Sequence, residues 1–165
     1  MDITTYSQLE EQLNKICESV INKVSDAILK NLKDTIKRDI YDAHGPNRVY
    51  RSFSENDSEF YNAWEWGQIE KSSKQISREM LYAWQKMKVE PRSYIHTDYL
   101  SGQDTREKLA EILNVNGFDQ GINGDGNPIS RQRYSYWNAF IVDMTLGGGV
   151  LKYFDQYFGE LGIRR

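Results

Sequence analysis

Few side chains in this 165-residue chain are of types that carry chemistry, and their spacing limits what each can do. His44 and His96 are the only histidines, one at the end of a helical pattern and one in a loop-like stretch. No set of Cys, Asp or Glu joins either one to make the three or four ligands that zinc takes. Asn123, Asp125 and Asn127 copy the first three ligands of a calcium loop. Pro128 then stands where that loop needs Gly, and Tyr134 where it needs Glu. A Gly/Asn/Asp turn is the better reading. Gly147, Gly148 and Gly149 lack the Lys-Ser/Thr and the preceding strand of a phosphate loop, and read as a hinge between two helical pieces. Glu59 and Glu65 lie near aromatics, but nothing in the sequence fixes the separation that glycosidase carboxylates need. The single Cys17 sits inside an apolar helical pattern and reads as a small buried hydrophobe. It cannot form an internal disulfide, which fits a reducing cytoplasm. The expectation is a chain that is not an enzyme, with no catalytic residue, cofactor or metal.

Tyr94, Tyr99, Tyr134, Tyr136 and Trp137, with Arg92, Arg131 and Arg133 nearby, form the one group with a binding chemistry. Such rings stack on nucleic-acid bases, and Arg holds phosphates. The same residue types anchor protein–protein interfaces. Net charge decides between them. At −3 the chain lacks the clustered cationic excess of a nucleic-acid binder, so protein contact is favoured. Aromatics make up 13% of the residues, which adds weight to that choice.

Positioning falls first to a long N-terminal helix. Leu9, Leu13, Ile16, Val20, Val24, Ile28, Leu32, Ile36 and Ile40 recur at spacings of three and four, the period of one helix face. Thr5-x-x-Gln8 and Ser7-x-x-Glu10 are overlapping capping-box candidates at its start. His44-Gly45-Pro46 is its stop. From Leu9 to Ile40 such a helix spans roughly 50 Å at 1.5 Å per residue. A domain of this size has a radius of gyration of only about 15 Å. The helix therefore breaks, or its overhang is covered by another chain. Steps of four drift around a 3.6-residue helix, so the two ends of the stripe face different partners. Ile28–Ile40 is expected to pack on the domain, and Leu9, Leu13, Ile16 and Val20 on another subunit.

Val49, Arg51 and Phe53 alternate with polar neighbours as a strand does, and Phe60–Trp66 is a second strand candidate. Lys71–Gln75 is a polar turn. Ile76–Val89 fits both periods: Ile76, Met80, Ala83, Trp84 and Met87 for a helix, Leu81 to Val89 for a strand. Aromatic enrichment and flanking turns favour the strand. Asp104-x-x-Glu107 starts a short helix with Leu109, Ile112 and Leu113 on one face. Asn114–Pro128 is a Gly/Asn-rich loop, too long to be held by its own domain, and is expected with Tyr134, Tyr136 and Trp137 to touch neighbouring subunits. Trp137, Phe140, Ile141 and Met144 begin a helical face that resumes after the glycines with Val150, Phe154, Tyr157, Phe158 and Leu161. Gly162 and Ile163 form its cap. The sum is a single α+β domain. Residues 1–44 form a long helix packed on a small antiparallel sheet drawn from 47–90. A short helix and a C-terminal helical segment lie within 104–165. No stretch approaches the ~18 consecutive apolar residues of a membrane span, and no signal peptide is seen.

Two segments together carry a resemblance. The first is Ile40-Tyr41-Asp42-Ala43-His44-Gly45-Pro46 followed by Val49-Tyr50-Arg51. The second is Arg106-Glu107-Lys108-Leu109-Ala110-Glu111-Ile112-Leu113-Asn114, a Gly/Asn-rich stretch, Tyr136-Trp137-Asn138-Ala139-Phe140, and a closing helix ending Leu161-Gly162-Ile163. Their order resembles the minor structural proteins of tailed phages of Gram-positive hosts, related to the tail-completion or neck family of siphophages. The likeness covers about two-thirds of the chain. The aromatic run Phe60–Trp66 and the residues Asn47–Arg48 depart from it. It implies a virion subunit in the neck or tail region, assembled in the host cytoplasm and working in a ring of its own copies. Its other partners would be the head–tail connector and the tail terminator or tail tube proteins. The competing function is a nucleic-acid-binding or regulatory domain using the Arg131–Trp137 surface.

Overall fold

The structure, a computed structural model, describes residues 5–42, 59–72, 75–87, 105–115, 136–146 and 148–163. It is α+β, mostly helical with one two-stranded antiparallel sheet. Helix α1 (Tyr6–Ile36) is the spine and continues into a π-helical turn, Lys37–Asp42. A short helix α2 (Glu59–Asn62) leads into the hairpin β1 (Trp64–Lys71) and β2 (Ile76–Tyr82). A single 3-10 turn, Trp84–Lys86, follows. Helices α3 (Thr105–Val115), α4 (Tyr136–Thr145) and α5 (Gly149–Glu160) complete the order.

The first of the two capping-box candidates starts α1. The Thr5 hydroxyl accepts from the Gln8 N–H, and the Gln8 side chain accepts from the Thr5 N–H, both at 3.2 Å. Ser7 lies inside the helix. Spacing by four persists through the buried Val20, Val24, Leu32, Ile36 and Ile40. On an α-helix this stripe drifts steadily to one side. The wider π turn holds more residues per turn and swings the stripe back, so Ile40 and Tyr41 stay buried beside Leu32 and Ile36. The predicted stop at His44-Gly45-Pro46 and the predicted strand Val49–Phe53 lie outside the described residues.

The hairpin lies across the middle of α1. Trp64 pairs with Tyr82, Trp66 with Met80, Ile69 with Arg78 and Lys71 with Ile76. One extra residue between Trp66 and Ile69 makes a bulge at Gly67 and Gln68. Trp66 Nε1 donates to the Ser25 carbonyl at 2.7 Å. Arg78 lies over the Trp66 ring and donates to Asn22 Oδ1 at 3.1 Å and to the Gly67 carbonyl at 2.9 Å. Lys71, at the hairpin tip, pairs with Glu18 at 2.5 Å.

Two sheet boundaries correct the sequence reading. Phe60–Trp66 is not one strand. Phe60 sits on the helical turn α2, and the strand runs from Trp64 on through the polar Gln68 to Lys71. The i, i+4 pair Phe60 and Trp64 both enter the core, ring centroids 6.2 Å apart and nearly perpendicular. The second strand occupies Ile76–Tyr82 rather than Leu81–Val89. It ends where the Ala83 N–H donates to the Ala63 carbonyl at 2.7 Å, and the turn at Trp84–Lys86 then drops Met87 into the core.

The core sits against the C-terminal half of α1, as expected for Ile28–Ile40. Leu32, Ile36, Ile40 and Tyr41 meet Phe60, Trp64, Met87, Leu109, Tyr136, Phe140 and Met144. Helix α5 runs back along α1. Its first turn, with Val150 and Tyr153, packs on the core, while Glu160 at its far end bonds Lys23 at 2.8 Å. The Lys23 ammonium beside Glu160 holds that carboxyl below its ordinary pKa. Gly162, at φ +76°, and the Ile163 N–H donating to the Phe158 carbonyl at 2.9 Å form the predicted cap.

The glycine joint is a packed elbow. Gly148, at φ +70°, caps α5, and Gly149 is buried against α4, where a Cβ would lie 2.5 Å from the Asp143 carbonyl oxygen. Helix α4 is in turn tied to α3. The Tyr136 hydroxyl donates to the Ala110 carbonyl at 3.0 Å, and Asn114 Oδ1 accepts from the Trp137 N–H at 3.3 Å. The second bond satisfies one of the free N–H groups at the start of α4.

Candidate interaction surfaces

Among the described residues, two apolar surfaces are exposed. The first is the N-terminal overhang of α1. The hairpin tip reaches Glu18 and the end of α5 reaches Lys23, and the helix continues past both to Tyr6. Twelve positions separate Tyr6 from Glu18, roughly 18 Å at 1.5 Å per residue. Tyr6, Leu9, Leu13, Ile16 and Val20 step by three and four along one side of this stretch, the repeat of a helix-pairing seam. Burial grades along it. Val20 is only 1% exposed, Ile16 is half-buried, Leu13 is 50% exposed and Tyr6 83%. Leu161 and Ile163, just past the end of α5, are exposed as well. Glu11 pairs with Lys15 at 2.6 Å, and that ammonium keeps the Glu11 carboxyl below its ordinary pKa.

The second surface is the outer side of α4. Its inner side buries Tyr136, Phe140 and Met144. At about 100° per residue, Asn138, Ile141, Val142, Thr145 and Leu146 fall on the opposite side. All five are exposed, Leu146 to 82%, and none is charged. Leu151, in the first turn of α5, is exposed as well. A helix apolar on both sides is ordinarily covered on both. Gly149 brings the start of α5 close against the α4 backbone.

The structure sorts the residues read from sequence as contacts. Leu9 and Leu13 are exposed on the overhang, with Ile16 at its edge. Val20 is not available to another subunit, because the hairpin and α5 have already closed over that level of α1. Tyr136 is likewise an internal residue, 1% exposed, with its ring against Phe60 at 5.7 Å. Burial raises its phenol pKa above the ordinary value. Trp137 is half-buried, stacked on Trp64 at 5.6 Å and packed against Phe140. The Tyr136 ring is committed inside the protein, whereas Trp137 keeps part of its surface open. Tyr134 and the loop 116–128 lie outside the described residues. Asn114, at the start of the predicted contact loop, is used internally as the α4 cap.

Ile141 moves the other way. The sequence pattern placed it on the buried face with Trp137, Phe140 and Met144, and the structure places it outside. The sequence did hold the signal. Asn138, Ile141, Val142, Thr145 and Leu146 form a second helical stripe, which a search for one apolar face passes over.

Among the described residues no group of three or more His, Cys, Asp or Glu is arranged to hold a metal ion. No helix among them is long and apolar enough to cross a membrane. His44, His96, Asn123, Asp125 and Asn127 lie outside the described residues. No family model matches this chain, and no significant match to it was found among curated proteins or among solved structures.

Proposed function

We propose that this chain is a structural subunit of a tailed-phage virion, a tail-completion or neck protein that joins the head connector to the tail as one copy in a ring. The observation that carries the reading is the pair of uncovered apolar surfaces, one on the α1 overhang and one on the outer side of α4. They lie toward opposite ends of α5, which is 12 residues long, so roughly 18 Å apart along the subunit. A ring is built from head-to-tail contacts between two different patches on each copy, whereas a two-fold dimer needs only one patch that matches itself. Two separate patches suit the first arrangement. Burial of such surface contributes roughly 25 cal/mol per Å² before association entropy is subtracted. The motif order described above points to the same class of protein.

Removal of the gene from the genome that encodes it tests the reading. Filled heads and separate tails, joined again when the purified protein is added, are expected. Infectious tailed particles formed without the protein would overturn it. Gene order gives an independent check, with a place between connector genes and the major tail gene expected.

A further inference from the structure

We infer that α5 is a separable strap: it leaves α1 as one unit, hinged at Gly148, while α1, the hairpin, α3 and α4 stay folded, a property independent of the ring reading. No side chain of α5 is fully buried. Its apolar side, Val150, Tyr153, Phe154, Tyr157 and Phe158, is half-buried from end to end. By contrast, α3 seals Leu109 and α4 seals Tyr136, Phe140 and Met144 in the core. Phe154 and Phe158 stack on each other with ring centroids 6.2 Å apart, so part of their area is covered by α5 itself. The far end of the helix is held to α1 by contacts open to water. The Lys23 and Glu160 side chains pair while 47% and 45% exposed, and the Lys23 ammonium lies 5.4 Å from the centroid of the Tyr157 ring. Exposed ion pairs add little to stability. The near end is a glycine joint. Gly148 has a left-handed φ and nothing within 4 Å of a Cβ position, so its backbone can turn as α5 moves. A segment with few buried apolar contacts opens at a lower free energy than the whole domain. Once off α1, a helix of 12 residues is marginal in water. Release therefore unravels α5 and exposes Tyr153, Phe154, Tyr157 and Phe158 together with the stretch of α1 beneath them. The chain keeps a closed form in equilibrium with one that shows more apolar surface, and its core is intact in both.

Native-state amide exchange on the full chain, followed by NMR from zero to moderate urea, tests this. The α5 amides are expected to share one opening. Their protection should be at least about a hundredfold below that of α1 around Leu32 and Ile36, with a shallower dependence on urea because less surface is exposed. Leu109→Val then separates the two units. Leu109 is buried in the core on α3, so trimming it destabilises the closed and open forms alike relative to the unfolded chain. Core protection should fall about tenfold while α5 protection stays unchanged. Tyr136→Phe, which removes the bond to the Ala110 carbonyl in the same core, serves as a second variant, and circular dichroism verifies that each folds. Three results overturn the inference. One is α5 protection equal to that of the core and falling with it in both variants, whatever part of the chain supplies the added cover. Another is α5 amides that open one by one from the C-terminal end, which is fraying and not release. The third is α5 without protection in the wild type, which leaves no closed form to release.

Discussion

The indole N–H of Trp66 donates to the carbonyl of Ser25 at 2.7 Å, and this bond seats the hairpin on the middle of α1. Ser25 is itself buried, so the bond is shielded from competing water. Trp66→Phe keeps an aromatic ring over α1 and removes the donor. The expected loss is about 1 kcal/mol, typical of one hydrogen bond. Urea unfolding with an unchanged m-value checks it. An unaltered midpoint would mean that packing alone holds the hairpin.

Tyr136 ties stability to alkaline pH. Burial raises its phenol pKa in the folded protein above the value near 10 of an unfolded tyrosine. The folded state therefore holds this proton more tightly. Its contribution is complete below about pH 10 and is lost as pH rises through the folded value. Tyr136→Phe lacks the proton. The variant should be less stable by about 1 kcal/mol at neutral pH, having lost the bond to the Ala110 carbonyl, and should lose less stability than wild type on going above pH 10. Parallel curves for the two proteins between pH 9 and 11 would contradict this.

Gly148 and Gly149 should respond differently to the same substitution. At Gly149 an alanine Cβ would lie 2.5 Å from the Asp143 carbonyl oxygen and 2.6 Å from Met144 Cα, both backbone atoms that move only if the elbow opens. Gly149→Ala is expected to destabilise by about 1–3 kcal/mol, the range for overpacking. Gly148 has open space around it but a left-handed φ, so Gly148→Ala should lose roughly 1 kcal/mol through backbone strain. Only the Gly149 variant should also change amide exchange on both α4 and α5. Equal effects on exchange would contradict the close approach.

Local signals in the sequence carried much of this fold. The three-and-four spacing gave α1, the Thr5–Gln8 pair gave its start, and Gly162 with Ile163 gave the end of α5. Each depends on residues close together in the chain. The sheet was harder because its boundaries are set by distant partners. The strand pairing runs to the Ala83–Ala63 bond and stops where the chain turns at Trp84–Lys86, and no local pattern encodes that cross-strand partner. Phe60 is helical and Trp64 extended although both sit in one aromatic run, because each must reach the same core from a different direction. Among the candidate contacts, the exposure of Leu9 and Leu13 was legible from helix length alone. Val20 and Tyr136 were not, since their burial depends on where α5, the hairpin and α3 come to rest.

The clasp between Asn114 and the start of α4 ties together the two ends of the connection 116–135. Because the last turn of α3 and the first turn of α4 are held by their own hydrogen bonds, the length of the connection between them enters the stability through loop closure. That entropy grows with the logarithm of length, about 0.6 kcal/mol for a doubling. As far as loop closure is concerned, added length there has little energetic expense. An epitope, a fluorescent peptide or a new recognition sequence grafted between the two anchored turns would leave the bonds Asn114–Trp137 and Tyr136–Ala110 in place.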